Sequence, residues 1–296
     1  MVFLVALAGM FAASLRAASD TASGDALPRN PTPQEEEALA KAEQLLLKEC
    51  MEDKGFEYWI AIEEPQPETK DHRYVIDDPD WAEKHGYGSE LQRERAELRE
   101  KDPNRVYFES LPEERRADAL RAANGPQPVG LRATTPDGMS LDRSDQGCTS
   151  QAQRELYGDL PAWFQARVTV DSLPEIRYQR VIGDPRYKEA AKPWAACMSA
   201  AGHEYATPLE LRDALPPPEA PMPKEDEVDL ATAEARCAVE SGFADVVADL
   251  DSHYAGELRR EYASALAEKR RLQLDALPRA YSVIGENAEE APGGGE

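Results

Sequence analysis

The chemistry open to this sequence turns on its four cysteines, Cys50, Cys148, Cys197 and Cys237. A cysteine nucleophile needs a thiolate, which a helix N-terminus or a neighbouring cation stabilises. A zinc site needs cysteines and histidines at close, regular spacing. There is no CxxC and no Cys/His cluster here, and two of the cysteines instead open the same motif. Cys50-Met-Glu-Asp-Lys-Gly55-Phe-Glu-Tyr58 returns as Cys197-Met-Ser-Ala-Ala-Gly202-His-Glu-Tyr205, with Cys, Met, Gly and Tyr in register. Cys237-Ala-Val-Glu-Ser-Gly242 keeps only the cysteine and the glycine after it. Glycine at that position closes an α-helix by adopting the left-handed conformation. Three of the thiols therefore fall in last turns, where the helix dipole opposes a thiolate. An even set of well-separated cysteines so placed reads as disulfides, not catalysis. The methionine and tyrosine of the motif read as core filler, methionine being suited to irregular gaps.

Other constellations are missing. His72, His85, His203 and His253 stand apart, with no pair at a metal-binding helical spacing and no HExxH. No metal site and no cofactor is expected. There is no GxSxG, SxxK or P-loop. Adjacent acids such as Glu63-Glu64 and Asp77-Asp78 carry no weight as a glycosidase-like pair in a chain of 57 carboxylates. Aromatic groups at Tyr58-Trp59 and from Trp81 to Tyr87 read as cover for a small core in preference to the walls of a groove. No catalytic residue is assigned.

The elements that position these residues must fit within bounds set by composition. The 296 residues suffice for one large domain or two ordinary ones. Acids outnumber bases 57 to 34, a formal charge of -23, and no Lys/Arg cluster could track a phosphate backbone. Nucleic acid is not an expected partner, and the acid excess reads as a solvated, self-repelling surface. Val2 to Leu15 is uncharged and mostly apolar and is followed by Arg16-Ala17-Ala18, which resembles a signal-peptide core. That run as a helix would span about 21 Å, short of a hydrocarbon layer of about 30 Å. Residues 1–18 are thus expected to be a cleaved leader, with no permanent transmembrane segment.

Residues 19–34, rich in turn formers, read as a disordered tether. Thr32-Pro33-Gln-Glu-Glu is a helix start. From it Ala38, Ala42, Leu45, Leu46 and Cys50 mark one face of a helix ending near Lys54. Further starts are expected at Asp78-Pro79, at Ser110-Leu-Pro112-Glu113 as a capping box, after Gly147, and at Asp184-Pro185. The glycines of His85-Gly86-Tyr87-Gly88 must break any helix. Residues 125–147 read as an irregular crossing loop, and only 56–60 and 166–170 could be strands. Pro193 predicts a kink or break before Trp194, and residues 215–223 a stiff polyproline spacer. One long helix from about Asp226 to Ala276 is expected to carry a continuous stripe, Phe243, Val247, Leu250, Tyr254, Leu258, Tyr262 and Leu266. Whether Gly242 breaks it the pattern leaves open.

In their order, several of these motifs resemble those of a family of uncharacterised secreted proteins from actinobacteria. The likeness rests on the Cys-Met helix ending at Gly55-Phe-Glu-Tyr58, the His85-Gly-Tyr-Gly88 turn and the capped Leu111-Pro-Glu-Glu-Arg-Arg-Ala helix. It continues through Gly147-Cys148, Leu156-Tyr157-Gly158, Trp194-x-x-Cys197-Met198 and the helix of Cys237, and covers about residues 37–275. The resemblance implies export and a place beside the cell envelope; it implies no reaction.

The expected fold is all-α, a disulfide-stapled helical bundle with a long C-terminal helix and irregular loops. Two cysteine-containing helical modules, 35–160 and 161–284, follow the tether, with a disordered tail over 285–296. Pairing in sequence order, Cys50 with Cys148 and Cys197 with Cys237, gives each module its own staple. The competing pairing joins the equivalent Cys50 and Cys197 and leaves Cys148 for Cys237. The expected function is that of an exported non-catalytic protein of the cell envelope or extracellular space. It would act as an interaction or accessory protein meeting an unknown envelope partner through the long C-terminal helix. The alternative is a hydrolase acting on cell-wall material through ordinary carboxylates.

Overall fold

A computed structural model of the chain describes residues 27–60, 68, 70–217 and 220–290. The expected leader, the tether up to residue 26 and residues 291–296 of the expected tail lie outside the described residues, as do Glu63-Glu64 and Pro218 and Glu219 of the proline-rich spacer. The described chain is all-α apart from one two-stranded sheet. In order it forms α1 (Pro33–Asp53), α2 (Pro79–His85), α3 (Ser89–Glu100), α4 (Pro103–Ser110), α5 (Glu113–Asn124), β1 (Gly130–Thr134), β2 (Ser140–Ser144) and α6 (Cys148–Tyr157). There follow α7 (Leu160–Gly183), α8 (Pro185–Ala200), α9 (Pro208–Ala214), α10 (Lys224–Glu240), α11 (Phe243–Glu261) and α12 (Ala263–Glu290).

Helix starts follow local chemistry. Thr32 Oγ1 accepts from the Glu35 N–H at 3.2 Å while Glu35 Oε2 accepts from the Thr32 N–H at 2.7 Å, a reciprocal capping box at the head of α1. Arg29 adds two bonds to the same carboxylate and Arg270 of α12 donates to the Pro28 carbonyl. Residues 28–34 of the expected tether are thereby seated against the body. Asp78 and Asp184 cap α2 and α8 as their Asp-Pro pairs predict. The expected capping box at Ser110 does not form. Its hydroxyl donates to the Tyr107 carbonyl at 2.6 Å, closing α4, and α5 begins without a side-chain cap.

The 24-residue α7 ties the core together. Its first half, with Leu160, Trp163 and Phe164, packs among Leu39, Ala42 and Leu46 of α1, Leu156 of α6, Leu131 and Ala133 of β1, and Leu272, Ala276 and Ala280 of α12. Its far end, at Val181, enters a second cluster built on Trp194, Met198, Leu211, Phe243, Val247 and Leu250. One core thus joins α1 to α12 across the boundary expected at residue 160. A smaller cluster holds Cys50, Met51, Phe56, Ala119 and Cys148, and another seats Trp81 and Ala82 of α2 against Ala231 and Ala235 of α10.

Several expectations are corrected. The helix expected over 226–276 is three helices. Gly242 adopts the left-handed conformation, φ 72°, and separates α10 from α11, and Tyr262, φ -108° and ψ 27°, separates α11 from α12. The apolar stripe is spent inside the molecule, with Phe243, Val247, Leu250 and Leu258 buried. Helix α12 then continues through Pro278 to Glu290, so residues 285–290 of the expected tail are helical. Burial of Leu272, Ala276, Leu277 and Ala280 offsets the proline, which in isolation would cost about 3 kcal/mol. Helix α8 likewise runs through Pro193. Residues 166–170 belong to α7 and 56–60 form no strand.

The loop expected over 125–147 contains the hairpin. Its strands pair antiparallel from Gly130 with Ser144 to Thr134 with Ser140, with Arg132 and Asp142 paired across the ladder at 2.7 Å. The Thr135-Pro-Asp-Gly138 segment is its turn, closed by Gly138 N–H to the Thr135 carbonyl at 2.9 Å. Alternating Leu131 and Ala133 face the core, and Gln165 of α7 hydrogen-bonds both backbone groups of Thr134 at 2.9 Å.

Candidate functional site

The cysteines pair in sequence order. Cys50, in the last turn of α1, bonds Cys148, the first residue of α6. Cys197, near the end of α8, bonds Cys237, near the end of α10, and each pair holds its Cα atoms 5.5 Å apart. No cysteine is free among the described residues. Both full motif copies close alike. Phe56 N–H donates to the Met51 carbonyl at 3.0 Å and His203 N–H to the Met198 carbonyl at 2.9 Å, the long-range closure that left-handed Gly55 and Gly202 allow. Met51 and Met198 are buried, and Tyr58 donates to Gln44 Oε1 at 2.9 Å. At Cys237 the chain re-enters a helix directly after Gly242, so no extended segment has to be pinned there by a methionine and a tyrosine.

Two carboxylates sequence reasoning passed over are sealed inside α10. Glu227 is 3% exposed and Glu234 0%. Glu227 Oε1 accepts from the backbone N–H of Tyr87 at 2.9 Å and of Ser89 at 3.0 Å, and its Oε2 accepts from the Ser89 hydroxyl at 2.5 Å. Lys224 lies 3.9 Å from Oε2 and donates to the His85 carbonyl at 2.8 Å. The His85-Gly-Tyr-Gly88 turn is therefore a cradle of N–H donors around one carboxylate. Glu234 Oε1 accepts from the Ile76 N–H at 3.1 Å and its Oε2 from the Tyr87 hydroxyl at 2.8 Å. Burial pushes the Glu234 carboxyl above its ordinary value, with Arg212 opposing, and burial next to Glu234 pushes the Tyr87 phenol up as well. This arrangement fixes the α2–α3 turn to α10. The signal for it was two acids seven residues apart on the face that also carries Leu230, Ala231 and Ala235.

The aromatic groups and histidines separate. His72 and His85 flank Trp81, with ring centroids 4.5 and 5.2 Å from it, and Trp81 Nε1 donates to the Glu68 carbonyl at 2.9 Å. Burial holds His72 below its ordinary value. Trp59 stays exposed, edge-on to Tyr107 at 5.7 Å. His203 and His253 lie elsewhere, and no group of three or more metal-ligating residues converges among the described residues.

A cleft of about 500 Å³ opens between α1, α7 and α12, within the usual range for small ligands. Its inner edge is the pair Tyr157 and Trp163, stacked 3.6 Å apart around the Gly158-Asp159 corner. The Tyr157 hydroxyl donates to Glu43 Oε2 at 3.2 Å, and Gln153 Nε2 donates to Glu43 Oε1 at 2.8 Å. Trp163 Nε1 is buried and meets no acceptor among the described residues, a deficit typically worth about 1–3 kcal/mol. The sequence held no signal for this cleft, since its residues come from three helices distant in sequence.

No family model, curated protein or solved structure matches the chain.

Proposed function

We propose that this chain is an exported, non-catalytic protein of the cell envelope or extracellular space, acting as an accessory or interaction protein. The observation that carries the proposal is the pair of disulfides. Each joins helix termini within buried clusters, and bonds of this kind persist where the surroundings are oxidising. Two further facts support it: no helix among the described residues is long and apolar enough to cross a membrane, and the net charge of -23 suits a solvated surface. The apolar face of the C-terminal helices is used internally, so an envelope partner would meet other surfaces. Exposed apolar side chains stand on α3 and α4, at Leu98 and Val106, and around the hairpin, at Val129 and Met139.

The two most deeply buried carboxylates, Glu227 and Glu234, spend their oxygens on protein donors and cannot reach a polymeric substrate. Fractionation of the producing cells with non-reducing peptide mapping tests the proposal. Recovery outside the cytoplasm with both disulfides formed is expected, whereas cytoplasmic protein with four free thiols would refute it. Turnover of cell-wall fragments by the purified chain would refute the non-catalytic part.

A further inference from the structure

The cleft between α1, α7 and α12 carries charges of opposite sign that do not neutralise one another. Glu36 and Glu43 line it from α1, and among the described residues neither meets a cation within 4.0 Å. Arg167 and Lys269 line it from α7 and α12. Both turn to one carboxylate outside the lining, Asp171, at 3.3 and 2.8 Å. Asp171 balances one of the two cations, so the basic wall keeps an excess positive charge while the α1 wall stays acidic.

Polar groups complete the lining. Gln273 contributes an amide, and Trp163 lines the same space with its buried indole N–H lacking an acceptor. Buried donors are nearly always partnered in folded proteins, and an orphan beside a cleft signals an acceptor still to come. Tyr157 and Trp163 are 5% and 4% exposed. Their faces are covered by each other and by the core, so a sugar ring has no aromatic platform here. What the cleft offers is hydrogen bonding and two opposed charges.

We propose that this cleft binds a small zwitterion, an α-amino acid or short peptide, with its ammonium toward Glu36 and Glu43 and its carboxylate toward Arg167 and Lys269. A peptide carbonyl supplies the acceptor for the Trp163 indole. The proposal stands on the cleft alone and is independent of where the chain resides.

The test is calorimetric titration of the oxidised full chain with L-alanyl-L-alanine, its N-acetyl derivative and its C-terminal amide. The free dipeptide is expected to bind saturably with Kd below about 1 mM, and each blocked form at least about tenfold more weakly. Glu36→Gln should weaken the free dipeptide while leaving the N-acetyl derivative unchanged, and Arg167→Gln should do the converse with the amide. Trp163→Phe keeps the ring stack and should weaken the dipeptide about five- to twentyfold. Circular dichroism checks each variant's fold, and Glu36, being exposed, gives a variant that folds even where Trp163→Phe does not. No saturable heat up to about 10 mM dipeptide, equal binding of all three ligands, or binding unchanged by Glu36→Gln and Arg167→Gln would each overturn the proposal.

Discussion

The Cγ atom of Glu227 lies 2.8 Å from the point where a β-carbon on Gly86 would stand. The left-handed conformation of Gly86, φ 62°, brings the turn backbone that close, so the cradle and the glycine require each other.

Gly86→Ala therefore meets two costs. A side chain in the left-handed region costs about 1–2 kcal/mol, and Glu227 must move out of its three hydrogen bonds. A loss of about 3 kcal/mol or more in urea unfolding is expected. Gly202→Ala isolates the first cost, because nothing lies within 4 Å of its β-carbon position although its φ is +93°. It should lose only about 1–2 kcal/mol. Equal losses at the two sites would show that the cradle is slack.

Glu234 gives stability a pH dependence of the less usual sign. Its folded value is raised above the ordinary 4.5. Below the unfolded value the carboxyl is protonated in both states. As pH rises above 4.5 the unfolded chain ionises first, so stability falls until the folded value is passed. Glu234→Gln removes this slope and keeps an acceptor for the Ile76 N–H, so the variant should be at least as stable as the parent at pH 7. Glu234→Ala strands both the Ile76 N–H and the Tyr87 hydroxyl and should lose about 2–4 kcal/mol. Thermal melts from pH 4 to 8 distinguish the three proteins.

How far the sequence speaks follows the range of the forces involved. Caps at Thr32, Asp78 and Asp184 and stops at Gly55 and Gly202 are local chemistry and were legible residue by residue. The hairpin was hidden because the residues that make its turn, Thr135-Pro-Asp-Gly138, also make loops, and its apolar positions are only Leu131 and Ala133. Helix α12 passes Pro278 because four side chains around it are buried, a fact of tertiary packing that no local rule contains. The same holds for the candidate cleft. Glu36, Trp163 and Lys269 are ordinary surface and core residues in sequence, and only the fold sets them around one space.

The cap of α1 has the opposite pH sign. Bonds from Arg29, with those from Thr32, hold the Glu35 carboxyl down at about 2. A depressed value means that the cap is fully present above the ordinary 4.5 and is lost as pH falls through about 2. The Glu35 carboxyl resonance should titrate near that value by NMR. Arg29→Ala should move it toward 4.5 and loosen the first turn of α1. An unchanged titration would mean that the Arg29 contact is not formed in solution.

The two disulfides close loops with sequence separations of 98 and 40. Chain-entropy estimates give roughly 4.7 and roughly 4 kcal/mol of stabilisation, nearly equal because the dependence on length is logarithmic. The structure adds a difference. Cys197 and Cys237 lie in the larger cluster around Trp194 and Phe243, where α8 and α10 pack directly. Cys50 and Cys148 lie in a small cluster whose other fully buried members are Met51, Phe56 and Ala119. Paired substitution to alanine should therefore cost more order at the first bridge than the entropy alone implies. The β-hairpin and the start of α6 are expected to lose hydrogen-exchange protection in Cys50→Ala/Cys148→Ala. In Cys197→Ala/Cys237→Ala the fold should persist with reduced global stability. Loss of protection confined to α8 and α10 in both variants would contradict this account, because it would place the weaker packing at the second bridge.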